Sequence, residues 1–177
     1  MRAFLAIPLP PPLCEELAAV GRGIDGLRAQ RAGTIHLTIR FLGEIDDADA
    51  VAAAAAGVAS RHAPFDLRLK GLGAFPDARR PRVVWVGLAE GAEPAGALAR
   101  DVERAVVGLG LPREDRPFSA HVTLGRFRGR PRRPPPLDPD REFGRARADR
   151  LILYRSTLTP EGAQHEAVAD LSLGPDK

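Results

Sequence analysis

The order of hydrophobic and polar residues predicts strands and helices that alternate along the first half of the chain. Residues 3–7 are an apolar run that predicts a first strand, and the proline-rich residues 8–12 then turn the chain. From residue 13 to about residue 27, apolar side chains recur at helical spacing. Residues 34–43 are β-branched and apolar and end at a glycine, which predicts a second strand.

A similar succession follows as far as Gly110. The alanine-rich stretch from residue 48 to about residue 60 predicts a helix, with Asp46 and Asp47 available to cap it. Strands are predicted over residues 65–72 and 82–88, with a bend at residues 73–76 between them. A third helix is predicted from residue 95 to about residue 107, where glycines end it.

The last third of the chain predicts strands and one long loop. Residues 121–128 predict a strand, whereas residues 129–140 hold five prolines and predict an exposed loop. Residues 148–159 and 166–173 predict a closing hairpin. Because the regular alternation of a doubly wound parallel sheet is missing, we expect an α+β fold with antiparallel pairing.

Length and composition indicate a globular domain. The chain has 177 residues, 44% of them hydrophobic and 28% charged, so we expect residues 1–177 to form a single domain made of two lobes. No segment resembles a membrane span, and Pro8 interrupts the apolar run at the start. The lone Cys14 has no disulfide partner within the chain and is expected in the core. We therefore expect a cytoplasmic monomer.

The basic residues are almost all arginine. Of 26 Lys and Arg residues 24 are arginine, while the net charge is only +3. The planar guanidinium suits phosphate oxygens, but a genome rich in G and C produces the same bias without any function. The position of the arginines is more informative, because five fall within eight residues: Arg126, Arg128, Arg130, Arg132 and Arg133.

Two of the four histidines lie in near-identical strings. These are His36-Leu-Thr-Ile and His121-Val-Thr-Leu, and a chain with five threonines would show two such cases by chance roughly once in 200 sequences. Residues two apart in a strand point to the same face. His36 and Thr38 are therefore expected to project together, and His121 and Thr123 to repeat the arrangement.

A repeated histidine and threonine pair suits acid-base chemistry on a phosphate. One imidazole can deprotonate a water while the other protonates the leaving oxygen, and two stiff threonine hydroxyls can hold the phosphate between them. Symmetry leaves the two histidine roles interchangeable. Such a site requires no cofactor and no metal, and a metal site would need a third ligand for which the chain has no clustered His or Cys spacing.

Other residues are ambiguous in the sequence. Arg126 lies five residues after His121, so an ideal strand turns it to the opposite face unless a bulge at Gly125 or strand twist returns it. Phosphate contact and a surface ion pair both stay open for it. By alternation Phe41 is expected in the core rather than on the cleft as a platform for a stacked base. His62 is expected to cap a helix C-terminus, and His165 to lie at the surface.

The two motifs, one in each half of the chain, resemble the signature of the 2H phosphoesterase superfamily. Their surroundings resemble the RNA 2',3'-cyclic phosphodiesterases, also called 2'-5' RNA ligase-like proteins. The strings that carry this resemblance span nearly the whole chain: residues 2–7 (RAFLAI), 36–44 (HLTIRFLGE), 73–76 (GAFP), 82–87 (RVVWVG), 117–127 (PFSAHVTLGRF) and 153–162 (LYRSTLTPEG).

This resemblance implies a bilobal fold with pseudo-twofold symmetry, an active-site cleft between two antiparallel sheets, and helices on the outside. It implies hydrolysis of an RNA 2',3'-cyclic phosphate to a 2'-phosphate, with His36 as general acid on the departing 3'-oxygen and His121 as general base on water. Substrate-binding roles would fall on Thr38, Thr123 and Arg126.

The resemblance leaves part of the function open. Gly125 departs from the family, which often has a larger residue there. Members of the family also join RNA ends through 2'-5' linkages. A non-catalytic module that binds RNA ends, and an enzyme acting on small cyclic nucleotides, are the alternatives.

Overall fold

The computed structural model describes residues 1–175. Its strands are β1 (Arg2–Pro8), β2 (Arg28–Ala29), β3 (His36–Glu44), β4 (Phe65–Phe75), β5 (Val83–Glu90), β6 (Val122–Arg126), β7 (Glu142–Ala148), β8 (Arg150–Thr159) and β9 (Gly162–Ser172). Its helices are α1 (Pro11–Arg22), α2 (Ala48–Ala59) and α3 (Ala92–Gly108), with a 3₁₀ turn at Ala32–Thr34. No helix within residues 1–175 is long and apolar enough to cross a membrane.

The strands form two antiparallel sheets with related topology. The first sheet has the order β3-β1-β8-β9 and the second the order β2-β6-β5-β4-β7. Without the short β2, the second sheet also has four strands and repeats the first. The end strand β3 of the first sheet begins at His36, and the end strand β6 of the second begins directly after His121. The predicted α+β fold with two lobes and pseudo-twofold symmetry is confirmed.

Each sheet buries the face that points away from the cleft between the sheets. Leu5, Leu37 and Leu153 in the first sheet, and Leu67 and Leu124 in the second, are fully buried. Helix α1 packs on the second sheet, while α2 and α3 pack on the first, and α3 also contacts β5. We propose that the two lobes form one domain, because α3 packs on both sheets.

The helices follow the predicted pattern with shifted ends. Asp47 caps α2, its Oδ1 accepting a hydrogen bond of 2.9 Å from the backbone N–H of Ala50. Helix α1 ends five residues before its predicted end. Ile24 continues the apolar periodicity and is buried, but it lies in the turn after the helix, beyond the C-cap Gly23. Cys14 is buried as predicted.

The sequence prediction for the second sheet is wrong in two places. Residues 73–75 belong to β4 rather than to a bend, and Gly73 pairs with Trp85. A Cβ on Gly73 would lie 2.2 Å from the Trp85 ring, so this glycine allows close packing instead of a turn. Strand β7 was not predicted, because it is an edge strand whose exposed arginines hide the apolar alternation.

Candidate active site

Both motifs line a single cleft of about 1410 Å³ between the two sheets. His36 is the first residue of β3, and His121 immediately precedes β6. The predicted site residues are all in the lining of this cleft: His36, Thr38, His121, Thr123 and Arg126. The pairing of strands that are distant in sequence therefore brings the two motifs to one place.

A bulge follows the threonine in each motif. Thr38 pairs with Ala6 while Arg40 pairs with Leu5, so Ile39 is an extra residue in β3. In β6, Leu124 is the extra residue, because its two neighbours in sequence pair with successive residues of β5. The seven residues from each histidine share one burial pattern, in which the extra residue and the next residue are both buried. The bulge thus reverses the alternation of faces beyond it.

The bulges decide where Arg126 and Phe41 point. Each lies three residues after the motif threonine, and each is exposed and lines the cleft. Of the two ways left open for Arg126 to return to the cleft face, a bulge is the one present, with Leu124 rather than Gly125 as its extra residue. The prediction that Phe41 packs in the core is wrong, since its side chain is 58% exposed. Simple alternation fails for Phe41 because it does not count the extra residue.

Gly125 is required by close packing at the second bulge. A Cβ at this position would lie 2.5 Å from the backbone oxygen of Arg28 in β2. We expect Gly125→Ala to lower the free energy of unfolding by about 1–3 kcal/mol, because β2 or β6 must shift to relieve the overlap. Gly129→Ala is the matched control, because no atom lies within 4 Å of the added Cβ. This variant should change the free energy of unfolding by less than about 0.5 kcal/mol. Chemical denaturation of both variants checks this, and equal losses would contradict it.

The ring of His121 is held from behind by backbone and aromatic contacts. Its Nδ1 lies 2.6 Å from the carbonyl oxygen of Ser119, to which it donates in the neutral form. The ring meets Phe75 edge to face at 4.9 Å between centroids, and Trp85 lies 6.4 Å away. Burial lowers the pKa of His121, and the charge of Arg126 lowers it further. Nε2 is therefore the nitrogen available to a ligand.

His36 has the equivalent support in the first lobe. The backbone of Thr34 lies two residues upstream, as that of Ser119 does for His121, and it favours the charged imidazole and so partly offsets the lowering of the pKa of His36. Its ring stacks on Phe4 at 4.8 Å between centroids, and Phe4 stacks in turn on Tyr154 at 5.1 Å. Burial lowers the pKa of His36 to about 4, with a further contribution from nearby His165. His36 is consequently neutral near pH 7 in the unliganded protein.

His165 is a cleft residue that sequence reasoning missed. It pairs across strands with Ser156, and its ring lies 4.7 Å from Phe4 and 5.3 Å from His36. Its predicted surface position is wrong, because the pairing of β9 with β8 carries it to the cleft face. His62 makes a contact other than the predicted helix cap, its Nε2 lying 2.7 Å from Oδ2 of Asp101 on α3.

The lining of the cleft carries an excess of positive charge. Six of its residues are arginines: Arg2, Arg40, Arg100, Arg104, Arg116 and Arg126. Its carboxylates are Glu103 and Glu114, and both lie within 4.0 Å of the Arg40 guanidinium. Such a surface favours anionic ligands. Within residues 1–175, no group of three or more His, Cys, Asp or Glu side chains is arranged to hold a metal ion.

Comparison with solved structures gives the same fold. A protein from Thermus thermophilus superposes with a TM-score of 0.84 at 30% identity, covering 100% of both chains. Escherichia coli LigT complexed with 3'-AMP superposes with a TM-score of 0.79 at 24% identity, covering 97% of each chain. The chain therefore shares its fold with LigT over nearly its whole length.

Sequence comparison places the chain in a family. The model described as "LigT like Phosphoesterase" matches residues 7–85. The RNA 2',3'-cyclic phosphodiesterase of Aquifex aeolicus is 35% identical over 147 residues, covering 79% of this chain and 78% of the relative. The protein of the same name from Archaeoglobus fulgidus is 31% identical over 170 residues, covering 92% of this chain and 94% of the relative. This chain belongs to the LigT-like phosphoesterase family.

Proposed function

We propose that this protein hydrolyses 2',3'-cyclic phosphates at RNA ends and leaves a 2'-phosphate. One observation carries the proposal: two identical sets of groups line the same positively charged cleft. Each set is a histidine, a threonine two residues downstream and a bulge directly after that threonine. Relatives at more than 30% identity carry the name RNA 2',3'-cyclic phosphodiesterase.

The proposed reaction is a single displacement at phosphorus. His121 takes a proton from water as the water oxygen bonds to phosphorus, and His36 gives a proton to the 3'-oxygen as its bond to phosphorus breaks. Thr38 and Thr123 donate hydrogen bonds to the remaining phosphate oxygens, and Arg126 balances their charge. The protein groups named here complete the proton transfers without a covalent intermediate or a metal.

The buried position of His36 adds a condition to its role as the acid. In the unliganded protein, burial keeps His36 neutral near pH 7, and a neutral imidazole has no proton to give to the 3'-oxygen. A bound cyclic phosphate is an anion, which favours the imidazolium form and raises the pKa of a neighbouring histidine. We therefore propose that substrate binding loads His36 with its proton.

The same cleft allows related proposals. A 5'-hydroxyl in place of water would produce a 2'-5' linkage, because the bond to the 3'-oxygen breaks in the same way. Thr38 and Thr123 lie in one chain, so the site does not need a second copy, and we propose that the protein acts as a monomer. With Cys14 free and buried, we propose the cytoplasm as its location.

A substrate panel tests the proposed function. Chelator-treated protein is incubated with 2',3'-cyclic mononucleotides and with oligonucleotides that end in a cyclic phosphate, and the products are separated. We expect 2'-phosphates at rates unchanged by EDTA, because the protein's own groups move both protons. Activity that EDTA removes and one divalent ion restores would contradict the mechanism. Tight binding without turnover, unaffected by loss of both histidines, would favour the non-catalytic module.

We expect a bell-shaped dependence of turnover on pH. One histidine must be neutral and the other charged, and burial lowers the pKa of both, that of His36 to about 4. Below both pKa values the base is lost, and above both the acid is lost, so the optimum of kcat/KM should lie below about pH 6.5. The kcat optimum should lie higher, because bound phosphate favours imidazolium. A rate that rises steadily from about pH 5 to about pH 9 would contradict the pairing.

A further inference from the structure

We infer that the side of the cleft next to α3 binds the upstream nucleotide of an oligonucleotide substrate. This upstream subsite consists of Phe41, Arg100 and Arg116, which line the cleft. The inference rests on the proposed function and makes it more specific: the preferred substrate is a strand of at least two nucleotides. The base of the upstream nucleotide would stack on Phe41, and its phosphate would lie between the two arginines.

The backbone around Phe41 is fixed against α3 and the loop that follows it. The neighbouring Arg40 is buried, and its Nε donates to Oε2 of Glu103 on α3 at 2.5 Å. The same guanidinium donates to the carbonyl oxygens of Phe41 and Pro112, the latter at 2.6 Å. An exposed aromatic ring on a rigidly held backbone is a ready platform for a base.

The arginines of the subsite have no partners that would occupy them. Arg100 has neither an ion-pair nor a hydrogen-bond partner within residues 1–175, and the same holds for Arg116. Arg104, on the same face of α3 as Arg100, is paired with Asp101. The carboxylate of Glu103 is taken up by Arg40 and by the backbone N–H of Glu114. The positive charge of Arg100 and Arg116 is therefore available to a ligand.

A cyclic mononucleotide would leave these groups unused. Its single phosphate lies between the two motifs in the proposed reaction. The cleft volume of about 1410 Å³ exceeds the roughly 300–1,000 Å³ of pockets for drug-sized molecules. Unpaired arginines and an exposed aromatic ring in one cleft are the combination that binds single-stranded nucleic acid.

The opposite side of the cleft is less suited to a polyanion. There the hairpin of β8 and β9 contributes Ser156, Leu158 and His165 to the lining. Arg31 lies nearby, its Nη2 donating to the carbonyl oxygen of Ala163 at 2.8 Å, but it is not among the residues that line the cleft. The difference between the two sides indicates that the strand extends towards α3.

The test compares two substrates that end in the same cyclic nucleotide, a mononucleotide and a trinucleotide. We expect the wild-type kcat/KM to be about tenfold higher or more for the trinucleotide, since stacking of one base alone contributes about 5–150-fold. Phe41→Ala, and Arg100→Ala combined with Arg116→Ala, should each reduce this preference about tenfold. Loss of the two arginines should also make the salt dependence for the trinucleotide less steep. The slope of log(kcat/KM) against log[salt] should fall in magnitude by about 0.7 for each lost phosphate contact.

The matched control is Arg132→Ala combined with Arg133→Ala, which removes two exposed arginines of the proline-rich loop outside the cleft lining. It should leave the preference intact. Equal wild-type kcat/KM for both substrates, or an equal loss of preference in the control, would overturn the inference. If the wild type hydrolyses neither substrate, the proposed function fails. The subsite is then tested by measuring the fluorescence anisotropy of a labelled trinucleotide that ends in a 2'-phosphate. Weaker binding by the subsite variants than by the control would support the subsite, and equal binding would overturn it.

Discussion

Replacing His36 with alanine is expected to lower kcat/KM for a 2',3'-cyclic nucleotide by about 10²–10⁴-fold. The loss should be much smaller for a p-nitrophenyl phosphodiester that the wild type accepts. A ribose hydroxyl is a poor leaving group and needs a delivered proton, whereas p-nitrophenolate leaves with little help. A general acid on the leaving oxygen therefore matters for the first substrate only.

The same pair of assays on His121→Ala completes the assignment. A general base acts on the attacking water, which is the same for both substrates, so both should lose about 10²–10⁴-fold. His62→Ala, which removes an imidazole bonded to Asp101 outside the cleft lining, is the control and should keep its activity on both substrates. If the aryl ester rescues His121→Ala selectively, the two roles are reversed. Full activity of both variants would reject the two-histidine mechanism.

The second large effect concerns the stability of the contact between β3 and α3. Arg40→Met removes the buried guanidinium that Glu103 and the carbonyl oxygen of Pro112 both contact. We expect the free energy of unfolding to fall by about 2–3 kcal/mol, near the low end for a buried pair because the Glu103 side chain stays 29% exposed. Urea denaturation measures this loss.

The same variant should change the pH dependence of stability. Burial alone would raise the pKa of Glu103, but hydrogen bonds from Arg40 and the Glu114 backbone outweigh it and the pKa is lowered. A lowered folded-state pKa contributes stability above the ordinary value of 4.5, which is lost as the pH falls through the folded value. The difference between wild type and Arg40→Met should therefore shrink in acid.

Arg150→Met is the control for Arg40→Met. Arg150 pairs with Asp170 at 3.1 Å, and both side chains are about half exposed, at 50% and 53%. Such a surface pair contributes about 0–1 kcal/mol. An equal loss of stability in the two variants would show that Arg40 does not stabilise the contact between β3 and α3.

Local patterns were sufficient to predict most of the fold and to select the motif residues that line the cleft. The paired His-x-Thr strings were recognisable because residues two apart in a strand share a face, which places His36 with Thr38 and His121 with Thr123. Strand β7 escaped prediction because an edge strand alternates charged residues with few apolar ones. Cross-strand packing, which a local pattern does not contain, decided the role of Gly73.

The parts of the site that were not predicted depend on pairing between distant strands. Phe41 faces the cleft because Ile39 bulges, and the bulge is defined only by the partner strand β1. His165 lies beside His36 because β9 and β3 belong to one sheet. Strand register and sheet order are set by the whole fold, so alternation within one segment could not reveal either residue.

The most direct test of the proposed reaction is ³¹P NMR of a 2',3'-cyclic nucleotide turned over by chelator-treated protein in water enriched with ¹⁸O. The account predicts one product, the 2'-phosphate, with one ¹⁸O atom in its phosphoryl group, and no product from the protein in which both His36 and His121 are alanine. A 3'-phosphate, an unlabelled phosphate, or turnover by the double variant would contradict it.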